Sequence, residues 1–309
     1  MKIVFMGTPD FSAVCLSALA ETEHEIVGVI CQPDKPFGRK RELKAPEVKL
    51  EANRHGFRVF QPQTLRNGEG VKILEELRPD IAVVVAYGKL LPSDFLSFPK
   101  YGCINVHASL LPKYRGASPI HWAVINGETE TGVTVMQMDE GLDTGDILTV
   151  KKCPVGIDDT TEDMYEKLAP IGAQALIETL KKIESGTVCP VRQNEAEATK
   201  VGLLSKEMSR IDWNDTALNI HNKIRGLYSW PCTVSTVCGR SVKIYRSKLI
   251  DEAVDGKNGE IVFADKRLVV RCGDGKCVEL TELQLEGKKR MTACDLLNGF
   301  RLQKGDMFE

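Results

Sequence analysis

The continuous apolar run Ile81–Val85 constrains the fold of this chain more than any other sequence feature. A strand without polar residues fits a position buried on both faces, as in a parallel sheet covered by helices on either side. Residues 2–6, 25–31 and 103–106 form similar short segments, and residues 11–20 have the apolar spacing of a helix. Strands that alternate with helices predict an α/β fold with a doubly wound, mostly parallel sheet.

The last third of the chain has a different pattern. Short strands separated by Gly and Asp turns are predicted for residues 241–250, 259–263, 267–272 and 277–285, and such regular spacing is typical of a small β-barrel. A long amphipathic helix at 161–183 precedes an aperiodic stretch, and a helix capped by Asn214 follows at 214–227. We therefore expect a first domain over residues 1–188, a linker over 189–206 and a second domain over 207–309.

Composition limits the possible environments and partners. The ten cysteines show no CxxC spacing, and no Cys/His cluster has metal-ligand spacing, so we expect reduced thiols and no metal site. Without an export signal or a long apolar segment, we expect a cytoplasmic protein without membrane contact. A net charge of −2 argues against binding of nucleic acid by bulk charge. Any RNA contact must use local basic patches, for which the candidates are Arg39, Lys40 and Arg41 with Lys44, residues 243–248, and residues 288–290.

Asn105 and His107 lie two residues apart at the end of a predicted strand, so their side chains should leave the same face. Ligands of doubly wound sheets bind at the carboxyl ends of the strands. An amide beside an imidazole can bind a developing oxyanion and transfer a proton. The structural alternative is a pair of hydrogen bonds that ties down a turn.

An acidic segment downstream could provide a carboxylate that charges and orients this imidazole. Residue type alone does not choose among its members, which are Asp139, Glu140, Asp143 and Asp146. An amide, an imidazole and a carboxylate together suggest acyl transfer without a covalent enzyme intermediate.

Several motifs resemble, in the same order, those of the formyltransferase family that uses 10-formyltetrahydrofolate. They are Asn-Val-His at 105–107, Ser-Leu-Leu-Pro at 109–112, Tyr-Arg-Gly at 114–116 and Gly-Leu-Asp-Thr-Gly at 141–145, with residues 5–11 and 32–36 near the start. The resemblance covers essentially the whole chain. It implies a Rossmann-like first domain and an OB-like second domain.

The resemblance also implies a reaction and its residues. A formyl group would pass from 10-formyltetrahydrofolate, a co-substrate, to the α-amino group of methionine esterified to initiator tRNA. Asn105, His107 and Asp143 would be catalytic. The folate would be bound by Ser109, Leu110, Leu111 and Pro112.

For the RNA, the resemblance implies that the loop 35–49 enters the acceptor end. Pro36, Gly38 and Pro46 predict an irregular loop, and its tRNA-binding residues would be Arg39, in the leading position, Lys40, Arg41 and Lys44. The alternative is a solvated, mobile loop. Phe11 would line the methionine pocket, although core packing explains this residue equally well. We expect a monomer in which residues 207–309 also bind the tRNA.

Two other functions remain compatible with the sequence. A formyltransferase or deformylase acting on a small molecule would share the catalytic residues, but it would not need a separate barrel. A non-catalytic RNA-binding protein would not need Asn105, His107 and Asp143 together.

Overall fold

The computed structural model describes residues 1–37 and 42–309, which divide into two compact units. The first comprises Met1–Gly116, Gly132–Cys153 and Tyr165–Lys200, and the second comprises Ala117–Thr131, Pro154–Met164 and Val201–Glu309. Two short segments that precede residue 165 thus belong to the second unit. The predicted limits at 188 and 207 stay a prediction for where the functional domains end and begin.

Within the described residues, the secondary structure follows the predicted alternation. The strands are β1 (Lys2–Gly7), β2 (Glu25–Ile30), β3 (Lys35–Phe37), β4 (Glu42–Lys44), β5 (Val59–Phe60), β6 (Ile81–Val85), β7 (Cys103–His107), β8 (Arg115–Gly116), β9 (Glu130–Gln137), β10 (Ile147–Pro154), β11 (Lys200–Val201), β12 (Thr233–Val237), β13 (Arg240–Ile250), β14 (Ile261–Ala264), β15 (Leu268–Arg271), β16 (Cys277–Leu285) and β17 (Met291–Thr292). The helices are α1 (Asp10–Ala20), α2 (Glu47–Arg54), α3 (Glu69–Leu77), α4 (Ser93–Leu96), α5 (Pro119–Ile125), α6 (Thr161–Glu184), α7 (Ala217–Gly226) and α8 (Ala293–Gly299).

The main sheet of the first unit has the strand order β10-β9-β7-β6-β1-β2-β5. The strands from β7 to β5 in this order are parallel, which confirms the doubly wound sheet. All of β6 is buried, as its apolar sequence predicts. β9 is antiparallel to β7 and extends the sheet on that side. The carboxyl ends of the parallel strands therefore meet at one edge.

The first turn at this edge needs a glycine. A Cβ on Gly7 would lie 2.6 Å from the Cβ of Ser12, so no larger residue fits between β1 and α1. The Ser12 hydroxyl donates a hydrogen bond of 2.5 Å to the Val85 carbonyl, which joins the start of α1 to the end of β6.

The second unit contains an antiparallel sheet with the order β12-β13-β16-β15-β14, and β17 pairs with β16. Residues near the carboxyl terminus bridge the two edges: Phe308 pairs with Val237 at the end of β12, and Met307 pairs with Glu260 beside β14. These bridges close the sheet, so the predicted small barrel is confirmed.

Two local predictions are wrong. The cap of α7 is Thr216, whose hydroxyl accepts from the Asn219 amide at 3.1 Å, because the Asn214 side chain donates instead to Asp212. The segment 35–49 is not irregular throughout, since β3 and β4 pair as an antiparallel hairpin and α2 begins within it. Pro36 is tolerated there because an isolated two-stranded hairpin does not need every backbone donor.

In the described part of the chain, no helix combines the length and apolar character needed to cross a bilayer.

Candidate active site

β7 brings Asn105 and His107 to one face of the sheet, as strand alternation predicts. Asn105 is paired in register with Met136 and His107 with Thr134 on β9. Both side chains approach the same carboxylate, that of Asp143. The polar pair therefore lies on a rigid scaffold whose neighbours on both sides are strands.

His107 is 6% exposed and makes one close hydrogen bond. Its Nε2 lies 2.9 Å from the carbonyl oxygen of Tyr114. Because a carbonyl can only accept, Nε2 carries the hydrogen whenever the imidazole holds a single one. Nδ1 then faces Oδ2 of Asp143 at 3.6 Å, and it presents an N–H to its surroundings only when the ring is an imidazolium.

Asp143 lies in the loop between β9 and β10, which folds back over this face of the sheet. Its Oδ2 accepts a 2.7 Å hydrogen bond from the Gly116 amide, and its Oδ1 lies 3.5 Å from Nδ2 of Asn105. The latter contact is long, so the Asn105 amide retains donor capacity for a substrate oxygen. Asp143 has a φ of 55°, a left-handed conformation that Asp tolerates better than most residues.

The structure separates Asp143 from its acidic neighbours. Asp139, Glu140 and Asp146 are exposed. Oδ1 of Asp139 accepts from the Gly141 amide at 3.0 Å and from the Thr144 hydroxyl at 2.7 Å, so that carboxylate shapes the loop. Of the four acids, Asp143 is the one that the fold places beside the imidazole.

Residues 109–112 form a loop held by buried hydroxyl groups. Ser109 is fully buried, and its hydroxyl donates to the Lys113 carbonyl at 2.7 Å. Thr134 donates to the Ser109 carbonyl at 2.7 Å and accepts from the Leu111 amide at 3.1 Å. Leu111 is buried, whereas Leu110 and Pro112 are partly exposed. That all four residues contact folate stays a prediction.

Sequence reasoning missed Thr134 and Gln193. Thr134 alternates with apolar residues on β9, and nothing in the sequence marks its hydroxyl as a loop anchor. Gln193 lies in the predicted linker, yet its side chain is buried and donates to the carbonyls of Asp143 and Gly145. A polar residue in an aperiodic stretch gives no local signal of such contacts.

A cavity of about 380 Å³ opens near the carboxyl ends of β1 and β2. Thr8 and Gln32 line it from the sheet, and Lys35 and Lys44 line it from the hairpin strands. Lys44 is exposed and pairs with Glu47 at 2.8 Å. The other predicted tRNA-binding residues, Arg39, Lys40 and Arg41, lie outside the described residues.

Phe11, predicted for a methionine pocket, is 5% exposed and packs inside the first unit. Its ring meets Tyr165 edge-on at 6.5 Å, and a Cβ on Gly172 would lie 3.0 Å from its Cζ. These contacts establish core packing, while the pocket role stays a prediction.

In the second unit, the two arginines of the predicted basic patches are paired internally. Arg290 binds Glu282 at 2.5 Å and stacks on Tyr245, and Arg246 lies 3.6 Å from Glu282 and 3.7 Å from Asp163. The exposed lysines of the patches are Lys243, Lys248, Lys288 and Lys289.

Across residues 1–37 and 42–309, no group of three or more His, Cys, Asp or Glu residues is arranged to hold a metal ion.

An amide, an imidazole and a carboxylate converge at the carboxyl edge of a doubly wound sheet, an arrangement whose chemistry suits a group-transfer enzyme. Residues 1–180 match the formyl transferase family, and residues 203–301 match the formyl transferase C-terminal domain. The chain belongs to the formyl transferase family, which confirms the resemblance described above.

Relatives of similar length carry a more specific name. The chain is 44% identical over 306 residues to methionyl-tRNA formyltransferase of Geobacter metallireducens, covering 99% of this chain and 97% of that protein. It is 42% identical over 310 residues to methionyl-tRNA formyltransferase of Caldanaerobacter subterraneus, covering both chains completely.

Solved structures share the fold at lower identity. The N-formyltransferase of Helicobacter canadensis, in complex with folinic acid and dTDP-3-aminofucose, has a TM-score of 0.71 at 21% identity, with 91% of this chain and 98% of that chain covered. HypX of Aquifex aeolicus, in complex with tetrahydrofolic acid, has a TM-score of 0.66 at 20% identity, with 100% and 50% covered.

Proposed function

We propose that the protein transfers the formyl group of 10-formyltetrahydrofolate to the α-amino group of methionyl initiator tRNA, producing N-formylmethionyl-tRNA for translation initiation. The observation that carries this proposal is the convergence of Asn105, His107 and Asp143 on one face of the sheet. The full-length similarity to methionyl-tRNA formyltransferases supports the choice of acceptor.

The site residues match the charge changes of this reaction. An α-amino group titrates near pH ~8, so part of it is neutral at pH 7 and can attack the formyl carbon. Attack forms a carbon–nitrogen bond and puts negative charge on the formyl oxygen, to which the Asn105 amide and an N–H at Nδ1 of His107 can donate. As the bond to the folate nitrogen breaks, the amine loses a proton and the leaving nitrogen gains one. His107 and Asp143 are the titratable pair positioned for that transfer.

The remaining roles follow from placement and charge. Residues 109–112 contact the folate, for which the partly exposed Leu110 and Pro112 offer apolar surface. The tRNA is bound by Arg39, Lys40, Arg41 and Lys44 and by residues 207–309, and residues 1–188 form the catalytic domain. The protein acts as a monomer in the cytoplasm, where its ten free cysteines stay reduced.

The test compares acceptors with the full-length protein. We expect formylation of charged initiator tRNA with 10-formyltetrahydrofolate as donor, and little formylation of free methionine or an amino sugar nucleotide. Transfer to the small molecules alone would indicate a small-molecule formyltransferase. Loss of formate from the donor without any transfer would indicate a deformylase, and tRNA binding without turnover would indicate a non-catalytic RNA-binding protein.

A further inference from the structure

Gln193 connects a buried arginine to the loop that contains Asp143. The side chain is 5% exposed, and its Oε1 accepts from Nε and Nη2 of Arg115 at 3.0 and 2.9 Å. Its Nε2 donates to the carbonyls of Asp143 and Gly145 at 2.9 and 2.7 Å. Arginine can only donate and carbonyls can only accept, so the amide has a single possible orientation.

Arg115 is fixed from its other side as well. It is 1% exposed, and its Nη1 and Nη2 donate to Glu195 at 2.9 and 2.7 Å, which raises the pKa of the guanidinium. Its backbone amide donates to the Thr199 carbonyl at 2.9 Å. The next residue, Gly116, donates its amide to Oδ2 of Asp143 at 2.7 Å. Gly116 thus binds the carboxylate of Asp143, and Arg115 orients the Gln193 side chain that binds the backbone carbonyl of Asp143.

The Asp143 loop needs these donors. A left-handed φ at a non-glycine residue is strained, and such conformations persist when surrounding contacts determine them. A Cβ on Gly145 would lie 1.7 Å from the Gln137 carbonyl, so the loop backbone packs closely against the end of β9. Gly145 is buried, and loss of the donor to its carbonyl would leave a buried polar group unsatisfied. Gln193 supplies donors to the carbonyls of both residues.

We propose that Gln193 is a positioning residue that fixes the Asp143 carboxylate against His107. The inference rests on the proposed function, because it concerns the rate of the same reaction. Gln193 and Glu195 lie between the segments matched by the two family domains, at 1–180 and 203–301. The hydrogen bonds of Gln193 go to Arg115, Asp143 and Gly145, so its effect on catalysis passes through the Asp143 loop.

Two variants test this proposal. One replaces the Gln193 amide with a carboxylate, and the other replaces a nearby carboxylate with an amide. Gln193→Glu keeps an acceptor for Arg115 but turns a carboxylate oxygen toward two carbonyls, and we expect kcat to fall about tenfold or more through misplacement of Asp143. KM for both substrates should stay within about twofold, since the binding residues are unchanged. Glu197→Gln is the matched control: it makes the opposite exchange at an exposed carboxylate that accepts from Asn194 and leaves the partners of Gln193 and Arg115 in place, so kcat should change less than about twofold.

A second measurement does not depend on activity. The ¹H–¹⁵N resonance of Gly116, whose amide donates to Asp143, should shift or broaden in Gln193→Glu and stay in place in Glu197→Gln. If the glutamate prevents folding, Gln193→Met, which loses the donors without adding charge, has the same expected kcat loss and resonance change. A wild-type kcat in the Gln193 variants, or a lost kcat with an unchanged Gly116 resonance, would overturn the inference. An inactive wild type would refute the proposed function instead, while the Gly116 resonance would still test the positioning.

Discussion

One hydrogen bond between His107 and Tyr114 sets the orientation of the imidazole. The Tyr114 carbonyl, on a residue with a left-handed φ of 62°, receives Nε2 of His107 at 2.9 Å. This contact occupies the outer nitrogen, so Nδ1 is the atom through which His107 can act on Asp143 or a substrate. A half-turn of the ring about the Cβ–Cγ bond would place Cε1–H, in place of the Nε2 donor, against the carbonyl.

Asn105→Ala should lower kcat about 100-fold, because the amide donates to the oxyanion in the transition state. His107→Ala should do the same, with an added loss of stability of about 1 kcal/mol from the Tyr114 hydrogen bond. Formylation kinetics with thermal unfolding as a folding check measure both effects. Near-normal turnover in the folded variants would remove these residues from the chemistry.

Asp143→Asn should also reduce kcat by about tenfold or more, since the amide keeps the shape of the carboxylate but removes its charge from beside Nδ1. Asp139→Asn is the matched control, because Asp139 lies in the same loop and its hydrogen bonds go to Gly141 and Thr144 of the turn. It should keep most of the activity. The reverse order of the two variants would assign the carboxylate role to Asp139.

Phe11→Ala should lower the free energy of unfolding by about 3–5 kcal/mol, the usual cost of a large cavity in a packed core. Urea denaturation measures this loss, and Phe11→Leu should lose less. KM for the charged tRNA should change little if core packing is the whole role. A raised KM at unchanged stability would favour the methionine pocket.

The stability of the protein should fall as the pH drops from about 6.5 to about 4, partly because of His121. Burial lowers the pKa of His121 to about 4. Below pH 6.5 the unfolded chain therefore binds a proton that the folded chain excludes, which costs at most about 1.4 kcal/mol per pH unit. His121→Gln should reduce the loss of unfolding free energy between pH 7.5 and pH 5. Equal losses in both proteins would contradict the burial effect.

Lys44→Ala should raise KM for the charged tRNA and leave folate binding unchanged, with a smaller defect at low salt. The matched control is Lys72→Ala. Lys72 is also exposed and pairs with a glutamate three residues away, as Lys44 does, but it lies on α3 away from the cavity lining. Equal tRNA kinetics for the two variants would leave the hairpin as a solvated segment.

Local patterns in the sequence predicted the elements whose burial is periodic. The apolar run of β6, the alternation around Asn105 and His107, and the amphipathic spacing of α6 all specify which face is buried before any partner is known. The choice of Asp143 over Asp139 required the family motif, because both are acids in the same loop. Residue type alone was insufficient there.

The contacts that the sequence did not predict connect distant positions. Gln193 meets Asp143 across 50 residues, and Phe308 meets Val237 across the barrel closure. Neither partner has a local periodicity that marks the other. The same reason explains the missed hairpin of β3 and β4, whose strands are too short for a recognisable alternation.

The discontinuous second unit changes how chimeras with a relative should be built. Exchanging residues 201–309 alone would leave behind Ala117–Thr131 and Pro154–Met164, which belong to the same unit. α7 packs so tightly on α5 that a Cβ on Gly226 would lie 2.4 Å from Cγ1 of Ile125. A functional graft therefore has to transplant three segments together, and a donor with a larger residue at position 226 would need its own partner at position 125.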